Sequence, residues 1–333
     1  MRAEAVDVII IGAGMAGLAS GLRLATYGQR VLILERHGKI GGLNSYYKKH
    51  GLDLDVGLHT VTNWAPRGAK GRPLSRLLKQ LRLKWDQFQL APQIASEIRF
   101  PGRTIRFENG WESFRAGALT VFPDQQAALD RLYETVQARF EAAATATDLP
   151  DVSSRQTLAE LGLDPALAEM ILHPILYFGS AWERDLPFDT FVILFEALFI
   201  EGFGRPAIGV RQILRALESA FKERGGRLEL RCGVDRLEVD PTDRRVCAVI
   251  TDAGERIEAA QVLSTAGRVE TERLRTDREP SVDQGKLGVI SIFEALALLD
   301  RSPASFGLDA ALVFYSTTDT VPFVQPADWI NPT

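Results

Sequence analysis

The feature that most constrains this chain is the segment from Val6 to His59. An apolar strand pattern, VDVIII, runs directly into the glycine loop GAGMAG at 12–17, and a helical pattern and a second apolar strand pattern, RVLILE, follow. A strand, a GxGxxG loop, a helix and a strand ending in an acid form the fingerprint of a dinucleotide-binding βαβ unit. The sequence therefore predicts a nucleotide-binding unit at the start of the chain, rather than a glycine-rich turn without a ligand.

Each part of this unit has a physical role. Gly12 permits the tight turn after the strand, and Gly17 lets the helix pack closely on it. Gly14 has no Cβ, so the backbone can approach a pyrophosphate at the N-terminus of the helix. Glu35 ends the second strand, where a carboxylate accepts hydrogen bonds from ribose hydroxyls and disfavours a 2′-phosphate. These features predict NAD or FAD as the ligand and make NADP unsuitable.

Two further patterns follow the second strand. The paired glycines Gly41 and Gly42 offer a second close backbone approach to a phosphate or a ribose. A later segment, GLDLDVGLH, alternates between apolar and polar residues. Because Gly57 lies near the end of this segment, we expect a strand that passes a flat ligand closely, with Asp53 and Asp55 as solvated strand residues.

Together these motifs resemble the N-terminus of the flavin-dependent amine oxidase and phytoene desaturase superfamily. The ER pair at 35–36 followed by the GG pair at 41–42 is similar to an extension found in that family. The segment GLDLDVGLH is most similar to the branch of phytoene desaturases, carotenoid isomerases and retinol saturases. The resemblance implies FAD rather than NAD. It also implies that the backbone near Val234 meets the adenine and that the small-residue turn at 264–267 lies near the cofactor.

The cofactor-binding residues that follow from the fingerprint and the resemblance are Gly12, Ala13, Gly14, Met15, Ala16, Gly17, Glu35, Arg36, Gly41, Gly42, Leu43, Gly57, Val234 and Ala266. The candidate for catalysis is His59, which follows the strand expected to pass the flavin; its alternative role is a local hydrogen bond. No Ser/His/Asp or Cys/His set has a spacing typical of catalysis. Cys232 and Cys247 are too few for a metal site or a disulfide framework, which indicates buried residues of a reducing compartment.

The patterns and the resemblance predict an α/β fold, in which a discontinuous Rossmann-like FAD-binding domain carries an inserted α+β substrate domain. We expect the FAD-binding domain at 1–65 and 205–285 and the substrate domain at 66–204 and 286–333. Relatives in this family continue further and end in a glycine-rich strand–helix turn over the flavin ring. The sequence has no such glycine cluster after Gly307, so we expect the substrate domain and the flavin half of the site to be incomplete.

Composition and hydropathy limit the partners. The formal net charge is −4 at pH 7 and no dense basic stripe is present, so we predict no nucleic-acid partner. No signal peptide or membrane-spanning run is visible, which predicts a cytoplasmic protein. The basic pattern SRLLKQLRLKW predicts a short amphipathic helix, either a solvated surface element or a peripheral membrane anchor that delivers an apolar substrate. The oligomeric state is left open.

The predicted substrate domain contains several patterned elements. Four phenylalanines recur at the spacing of one helix face, at Phe188, Phe191, Phe195 and Phe199. This face is either core or the wall of a substrate tunnel. His173 lies in an apolar run and is predicted to be a core residue rather than a catalyst. Asp164 is predicted to cap a helix that begins at Pro165, and the apolar runs at 287–299 and 312–316 are predicted to be strands.

These observations predict an FAD-dependent oxidoreductase that desaturates, isomerises or saturates an apolar isoprenoid or carotenoid-type substrate. A flavin carries the electron chemistry, while the protein positions the substrate and excludes water. Two alternatives stay open. One is a flavin amine oxidase-like enzyme, in which an aromatic cage would face the flavin. The other is a truncated, non-catalytic nucleotide-binding remnant.

Overall fold

The computed structural model describes residues 6–143, 152–179, 185–278 and 294–321 of this 333-residue chain. Its strands are β1 (Val6–Ile11), β2 (Val31–Glu35), β3 (Tyr46–Lys49), β4 (Leu52–Asp55), β5 (Leu90–Pro92), β6 (Ser96–Phe100), β7 (Arg103–Phe107), β8 (Gly204–Pro206), β9 (Arg227–Leu230), β10 (Val234–Val239), β11 (Val246–Thr251), β12 (Arg256–Ser264) and β13 (Leu312–Tyr315). Its helices are α1 (Met15–Thr26), α2 (Pro73–Leu81), α3 (Trp111–Val121), α4 (Gln126–Ala143), α5 (Ser154–Glu160), α6 (Pro165–Gly179), α7 (Phe188–Phe195), α8 (Val210–Glu223) and α9 (Arg268–Arg273). A π-helical segment, Glu196–Glu201, continues α7.

The chain divides into two compact units. The first comprises Met1–Val61, Ala65–Ala91 and Arg205–Val289. The second comprises Thr62–Trp64, Pro92–Gly204 and Ile290–Thr333. Strands and helices alternate in a mixed α/β arrangement, and segments distant in sequence share one sheet, which confirms the predicted fold class.

The boundaries of the units differ from the predicted ones: residues 62–64 lie in the second unit, the first unit extends to 289, and the largest difference is at 65–91. Residues 65–91 lie in the first unit, whereas we assigned 66–91 to the inserted domain. Helix α2 contacts α1 of the first unit, and Trp85 Nε1 donates a hydrogen bond to the carbonyl oxygen of Ala65 at 2.9 Å. A change in composition marked this segment in the sequence, but composition does not show which core a short helix joins.

A six-stranded sheet forms the centre of the first unit, in the order β10-β11-β12-β1-β2-β9. β1 pairs in parallel with β12 and β2, and β2 pairs in parallel with β9. Ile9, Leu32 and Leu34 are at most 1% exposed, as expected for parallel strands covered on both faces. Because parallel strands end at one edge of a sheet, Ile11 of β1 and Glu35 of β2 come to the same edge.

Helix α1 packs very closely against this sheet. A Cβ atom on Gly21 would lie 2.9 Å from Ile33 Cδ1 and 3.2 Å from Phe221 Cε2, so a glycine is needed where α1 meets β2 and α8. Helix α8 buries one apolar face, which includes Leu214, Leu217 and Phe221. The burial of this amphipathic helix follows from the apolar spacing of its sequence.

Helix α2 does not present its apolar face to the outside. Leu74, Leu78 and Leu81 are at most 9% exposed, and Leu77 is the apolar residue of this helix that stays accessible. The apolar stripe is therefore used for packing in the first unit, and the interpretation of α2 as a membrane anchor is wrong in this respect. None of the helices in the described ranges is long and apolar enough to cross a membrane.

The second unit contains the sheet β13-β6-β7 and the helices α3 to α7. The four phenylalanines of the predicted stripe are at most 3% exposed. Neighbouring rings of the stripe lie 5.0–5.4 Å apart, and Phe199 also lies 4.2 Å from the ring of Phe114. The stripe is therefore closed core packing, and the tunnel interpretation is wrong for these side chains.

Other predictions for this unit have mixed outcomes. Asp164 Oδ1 accepts a hydrogen bond from the amide of Ala166 at 2.8 Å, which confirms the predicted helix cap. The predicted strand at 312–316 corresponds to β13. The run at 287–299 falls partly outside the described residues, and its part from 294 to 299 has no regular structure, with Leu298 57% exposed.

Candidate functional site

A cavity of about 760 Å³ opens in the first unit at the edge where β1 and β2 end. Eleven of the predicted cofactor-binding residues line it, namely Gly12, Gly14, Met15, Ala16, Glu35, Arg36, Gly41, Gly42, Leu43, Val234 and Ala266. The remaining lining residues are Ile11, Leu34, His37, Asn44, Thr265, Gly267, Glu270 and Leu274. Its volume lies in the range of small-molecule and cofactor sites.

The glycine turn after β1 is built by close backbone contacts. Gly12 has a φ of 99°, which a residue with a side chain rarely adopts. A Cβ atom on Gly17 would collide with the carbonyl oxygen of Gly12, so helix α1 lies directly against the turn. Thr265 Oγ1 donates a hydrogen bond to the carbonyl oxygen of Ile11 at 2.9 Å and so ties β12 to the same turn.

Gly14 presents bare backbone to the cavity. It is the residue before α1, and no side chain caps this helix terminus. The N–H groups of the first helical turn are therefore left for a ligand, and the helix dipole favours an anion there. A Cβ atom on Gly14 would meet one atom within 4 Å, the carbonyl oxygen of Gly41 at 3.9 Å. A side chain at this position would thus extend into the cavity.

The paired glycines contact the first glycine loop directly. The amide of Gly41 donates a hydrogen bond to the carbonyl oxygen of Ala13 at 2.9 Å, and Gly41 and Gly14 form a parallel bridge. Gly41 has a φ of 118°, and a Cβ atom on Gly42 would lie 3.4 Å from the Cα of Gly14. Two glycine segments therefore form one continuous backbone surface beside the start of α1.

Glu35 has a structural role in addition to the predicted one. The carboxylate is 6% exposed, and its Oε2 accepts a hydrogen bond from the amide of Ala13 at 2.7 Å. Its Oε1 accepts one from the amide of His37 at 2.8 Å. Each carboxylate oxygen has two lone pairs, so acceptor capacity is left on both for ribose hydroxyls.

Four predicted residues do not line the cavity: Ala13, Gly17, Gly57 and His59. Ala13 and Gly17 lie within the glycine loop and support it through the contacts above. A Cβ atom on Gly57 would collide with the carbonyl oxygen of Leu43, so the close approach is to the loop and not to a flat ligand. His59 is half-buried and has an interaction partner within the protein; its catalytic role stays a prediction.

The two aspartates that precede Gly57 are not solvated strand residues. Asp55 is 8% exposed, and its carboxylate lies against the backbone of Gly209 at the start of α8. Asp53 forms an ion pair with Arg211, whose side chain is 13% exposed. The alternating pattern concealed this cluster, because Arg211 comes from a segment far away in the sequence.

Four polar residues line the cavity without having been predicted individually: His37, Asn44, Thr265 and Glu270. His37 directly follows the predicted Arg36, and Asn44 directly follows the predicted Leu43. Their positions in the sequence could therefore have identified them. Thr265 lies in the predicted small-residue turn at 264–267. Glu270 lies in α9 after this turn, and no motif marks it.

Cys232 follows the end of β9, and its amide donates a hydrogen bond to the carbonyl oxygen of Glu35 at 2.9 Å. It packs against the apolar core of β1 and β2, and burial raises the pKa of its thiol. A protonated thiol is a weak nucleophile and behaves as a small apolar side chain. In the described ranges, no group of three His, Cys, Asp or Glu side chains is arranged to hold a metal ion.

A parallel βαβ unit whose glycine loop and terminal acid line one cavity defines a dinucleotide-binding α/β protein. A model of the family described as flavin containing amine oxidoreductase matches residues 15–284. The chain belongs to this family, which confirms the resemblance and the prediction of a flavin cofactor.

Two known proteins are similar to parts of this chain. All-trans-retinol 13,14-reductase of Rattus norvegicus is 25% identical over 299 residues, which cover 80% of this chain and 48% of that protein. Prolycopene isomerase 2, chloroplastic, of an Oncidium hybrid cultivar is 26% identical over 134 residues, which cover 40% of this chain and 22% of that protein. The chain therefore spans about half the length of the first relative and less of the second.

A solved structure supports the fold. An oxidoreductase from Methanosarcina mazei superposes with a TM-score of 0.60 at 19% identity. The superposition covers 81% of this chain and 61% of that one. At this identity the likeness concerns the fold alone.

Proposed function

We propose that this chain binds FAD in the cavity of the first unit and belongs to an oxidoreductase that acts on an apolar isoprenoid substrate. The observation that carries the proposal is the contact between Gly14 and the Gly41–Gly42 pair at the uncapped start of α1. The second glycine segment adds further backbone without side chains beside the start of α1, where a pyrophosphate can approach closely. A small mononucleotide would not require this second glycine segment.

The residues present fit the proposed cofactor. The first turn of α1 and Gly14 would hold the pyrophosphate, and Glu35 would accept from the adenosine ribose. Val234 and Arg36 line the same cavity and would flank the adenosine portion. Bound FAD would supply the two-electron chemistry, while the described residues of this unit bind and orient it.

The proposed substrate class rests on the relatives. One relative is named for the reduction of retinol and another for the isomerisation of prolycopene, and both substrates are isoprenoid polyenes. A shared family and two polyene-active relatives favour desaturation, isomerisation or saturation of such a molecule. Because the chain spans about half of the first relative, the reaction and the substrate are proposals for the whole protein.

The test is to express residues 1–333, add FAD, remove the excess and record an absorption spectrum. We expect a yellow protein with flavin bands that bleach under dithionite. A folded protein that remains colourless would contradict the cofactor proposal and favour a non-catalytic nucleotide-binding protein.

An amine substrate is the second candidate, because the family model is that of amine oxidoreductases. Two assays on the same flavin-loaded sample separate the candidates. One follows all-trans-retinol and a cis-carotene by chromatography with and without a reductant. The other follows peroxide release with a panel of mono- and polyamines. Peroxide release without polyene conversion would overturn the isoprenoid assignment.

A further inference from the structure

A second cavity opens in the first unit beside the cofactor cavity, with a volume of about 480 Å³. Its six lining residues are His37, Gly38, Lys39, Gly42, Ser45 and Arg231, and we call it the basic pocket. His37 and Gly42 line both cavities and form their common border. Gly14 and Glu35, which would hold the pyrophosphate and the ribose of the cofactor, do not line the basic pocket.

Arg231 forms one wall of the basic pocket, and the backbone fixes its position. Its amide donates a hydrogen bond to the carbonyl oxygen of His37 at 3.0 Å. Its φ is 56°, a left-handed conformation that is uncommon for a residue with a side chain. A Cβ atom on Gly38 would lie 3.0 Å from Arg231 Nε and 3.5 Å from its Nη2. The turn after β9 therefore places the guanidinium group directly against the segment that follows β2.

Lys39 supplies a second cation from the segment after β2. Its Nζ lies 3.5 Å from the carbonyl oxygen of Tyr46 and 5.4 Å from the centre of the Tyr46 ring. This contact holds the ammonium group beside Ser45, which is also a lining residue. The carbonyl oxygen accepts one of the three N–H groups of the ammonium, so two stay available for an anion.

Carboxylates do not balance the positive charge of the basic pocket. None of its six lining residues is acidic, and within the described ranges neither Arg231 nor Lys39 forms an ion pair. Glu229, the acid nearest to Arg231 along the chain, pairs with Arg227 at 3.0 Å. Glu35 accepts backbone amides through both of its oxygens. A concave surface with two cations and no acid attracts an anion.

We propose that the basic pocket binds the phosphate group of a small phosphorylated ligand. A guanidinium fork matches two phosphate oxygens, and an ammonium group adds a point charge. The amide of Gly38 has no acceptor among the described residues and is a further donor at this wall. Because cations from two separate segments line the pocket, a dianionic phosphate is favoured over a single carboxylate.

The size of the pocket bears on what carries the phosphate. A volume of about 480 Å³ lies in the range of small-molecule sites, so it leaves room for a sugar beside the phosphate. The proposal does not rest on FAD or on the substrate, because Gly38, Lys39 and Arg231 lie outside the cofactor cavity. The ligand would bind in addition to a cofactor and not in its place.

Isothermal titration calorimetry on the full chain in a buffer without phosphate tests the pocket. The probes are inorganic phosphate, ribose 5-phosphate and ribose. We expect both phosphate-bearing probes to bind with a dissociation constant below about 1 mM and ribose not to bind. Tighter binding of ribose 5-phosphate supports the proposal with a phosphate ester as the ligand. Equal or tighter binding of inorganic phosphate supports it with the free ion as the ligand.

A double substitution assigns the binding to this pocket. Lys39→Gln/Arg231→Gln should weaken the binding of both phosphate-bearing probes at least about tenfold. The matched control, Lys48→Gln/Lys49→Gln, removes the same charge from two exposed residues of β3 that do not line the pocket, and we expect unchanged affinity. Thermal unfolding verifies the fold of each variant, and Lys39→Gln alone replaces the first variant if that one does not fold.

Three results would overturn the proposal. They are the absence of binding up to about 10 mM of either phosphate-bearing probe, equal affinity for ribose and ribose 5-phosphate, and an equal loss of affinity in the two double variants. Flavin content measured on the same samples keeps this result separate from the cofactor test, since neither double substitution alters a residue of the cofactor cavity.

Discussion

Glu35 accepts a hydrogen bond from the backbone amide of Ala13 at 2.7 Å, and this contact joins the end of β2 to the glycine loop after β1. The same carboxylate accepts from the amide of His37 at 2.8 Å. One acid therefore holds the loop that faces a pyrophosphate and the segment that begins the second glycine motif. Its contribution to cofactor binding and its contribution to folding are coupled.

Glu35→Ala is predicted to lower both the stability of the protein without cofactor and its affinity for FAD. The substitution leaves two amides without their acceptor in a site that is 6% exposed, which costs roughly 1–3 kcal/mol. Urea unfolding without FAD and a fluorescence titration with FAD measure the two effects. Glu35→Gln, which keeps one carbonyl oxygen, should give intermediate values. Unchanged stability in the alanine variant would contradict the coupling.

Gly14→Val is predicted to reduce bound flavin to below about a tenth of normal without unfolding the protein. The φ of Gly14 is −69°, which valine adopts without strain, and the added side chain would extend into the pyrophosphate position. The measurement is the ratio of flavin to protein after gel filtration, together with the melting temperature. Normal flavin content in a folded variant would exclude the proposed pyrophosphate site.

Gly17→Ala is predicted to lower the stability of the protein, in contrast to Gly14→Val, which is predicted to lower flavin binding without unfolding the protein. Its Cβ atom would collide with the carbonyl oxygen of Gly12, so α1 must shift, and the free energy of unfolding should fall by about 1–3 kcal/mol. Thermal and urea unfolding measure the loss. A melting temperature equal to that of the unsubstituted protein would contradict the close contact between Gly17 and the carbonyl oxygen of Gly12.

The sequence predicted the parts of the site that are local in the chain. The path from Val6 through Gly12 and Gly17 to Glu35 is one βαβ unit, and its spacing alone determines which groups meet. The contact of Gly57 with Leu43 and the ion pair of Asp53 with Arg211 were not predictable in this way. They depend on how separate segments pack, and an alternating strand pattern is the same whether its polar face meets water or a guanidinium group.

Arg211→Met is predicted to destabilise the first unit by roughly 1–3 kcal/mol. Arg211 is the cation paired with Asp53, and Asp53 Oδ1 and Asp55 Oδ1 are buried without a hydrogen-bond partner among the described residues. Without Arg211 the carboxylate of Asp53 loses its counter-charge. Asp53→Asn in the same background should recover part of the loss, and a double-mutant cycle from urea unfolding measures this coupling. Strictly additive effects would show that the pair does not contribute to stability.

The stability of the second unit is predicted to depend on pH through His173. Burial lowers the pKa of this side chain, its ring lies edge-on to that of Phe100 at 5.4 Å, and its Nδ1 has no partner among the described residues. A backbone hydrogen bond at Tyr315 and the charge of Glu169 oppose the burial effect without reversing it.

The sign of this dependence follows from proton binding. An unfolded histidine takes up a proton near pH 6.5, while folded His173 stays neutral to a lower pH. The unfolded state therefore binds more protons below about pH 6.5, and the free energy of unfolding falls as the pH drops through that range. His173→Phe should reduce this fall, because phenylalanine does not titrate and fits beside Phe100. Urea unfolding between pH 7.5 and pH 5 measures the difference, with His50→Asn in the exposed turn as the control. Parallel pH profiles for His173→Phe and the unsubstituted protein would rule out this role of His173.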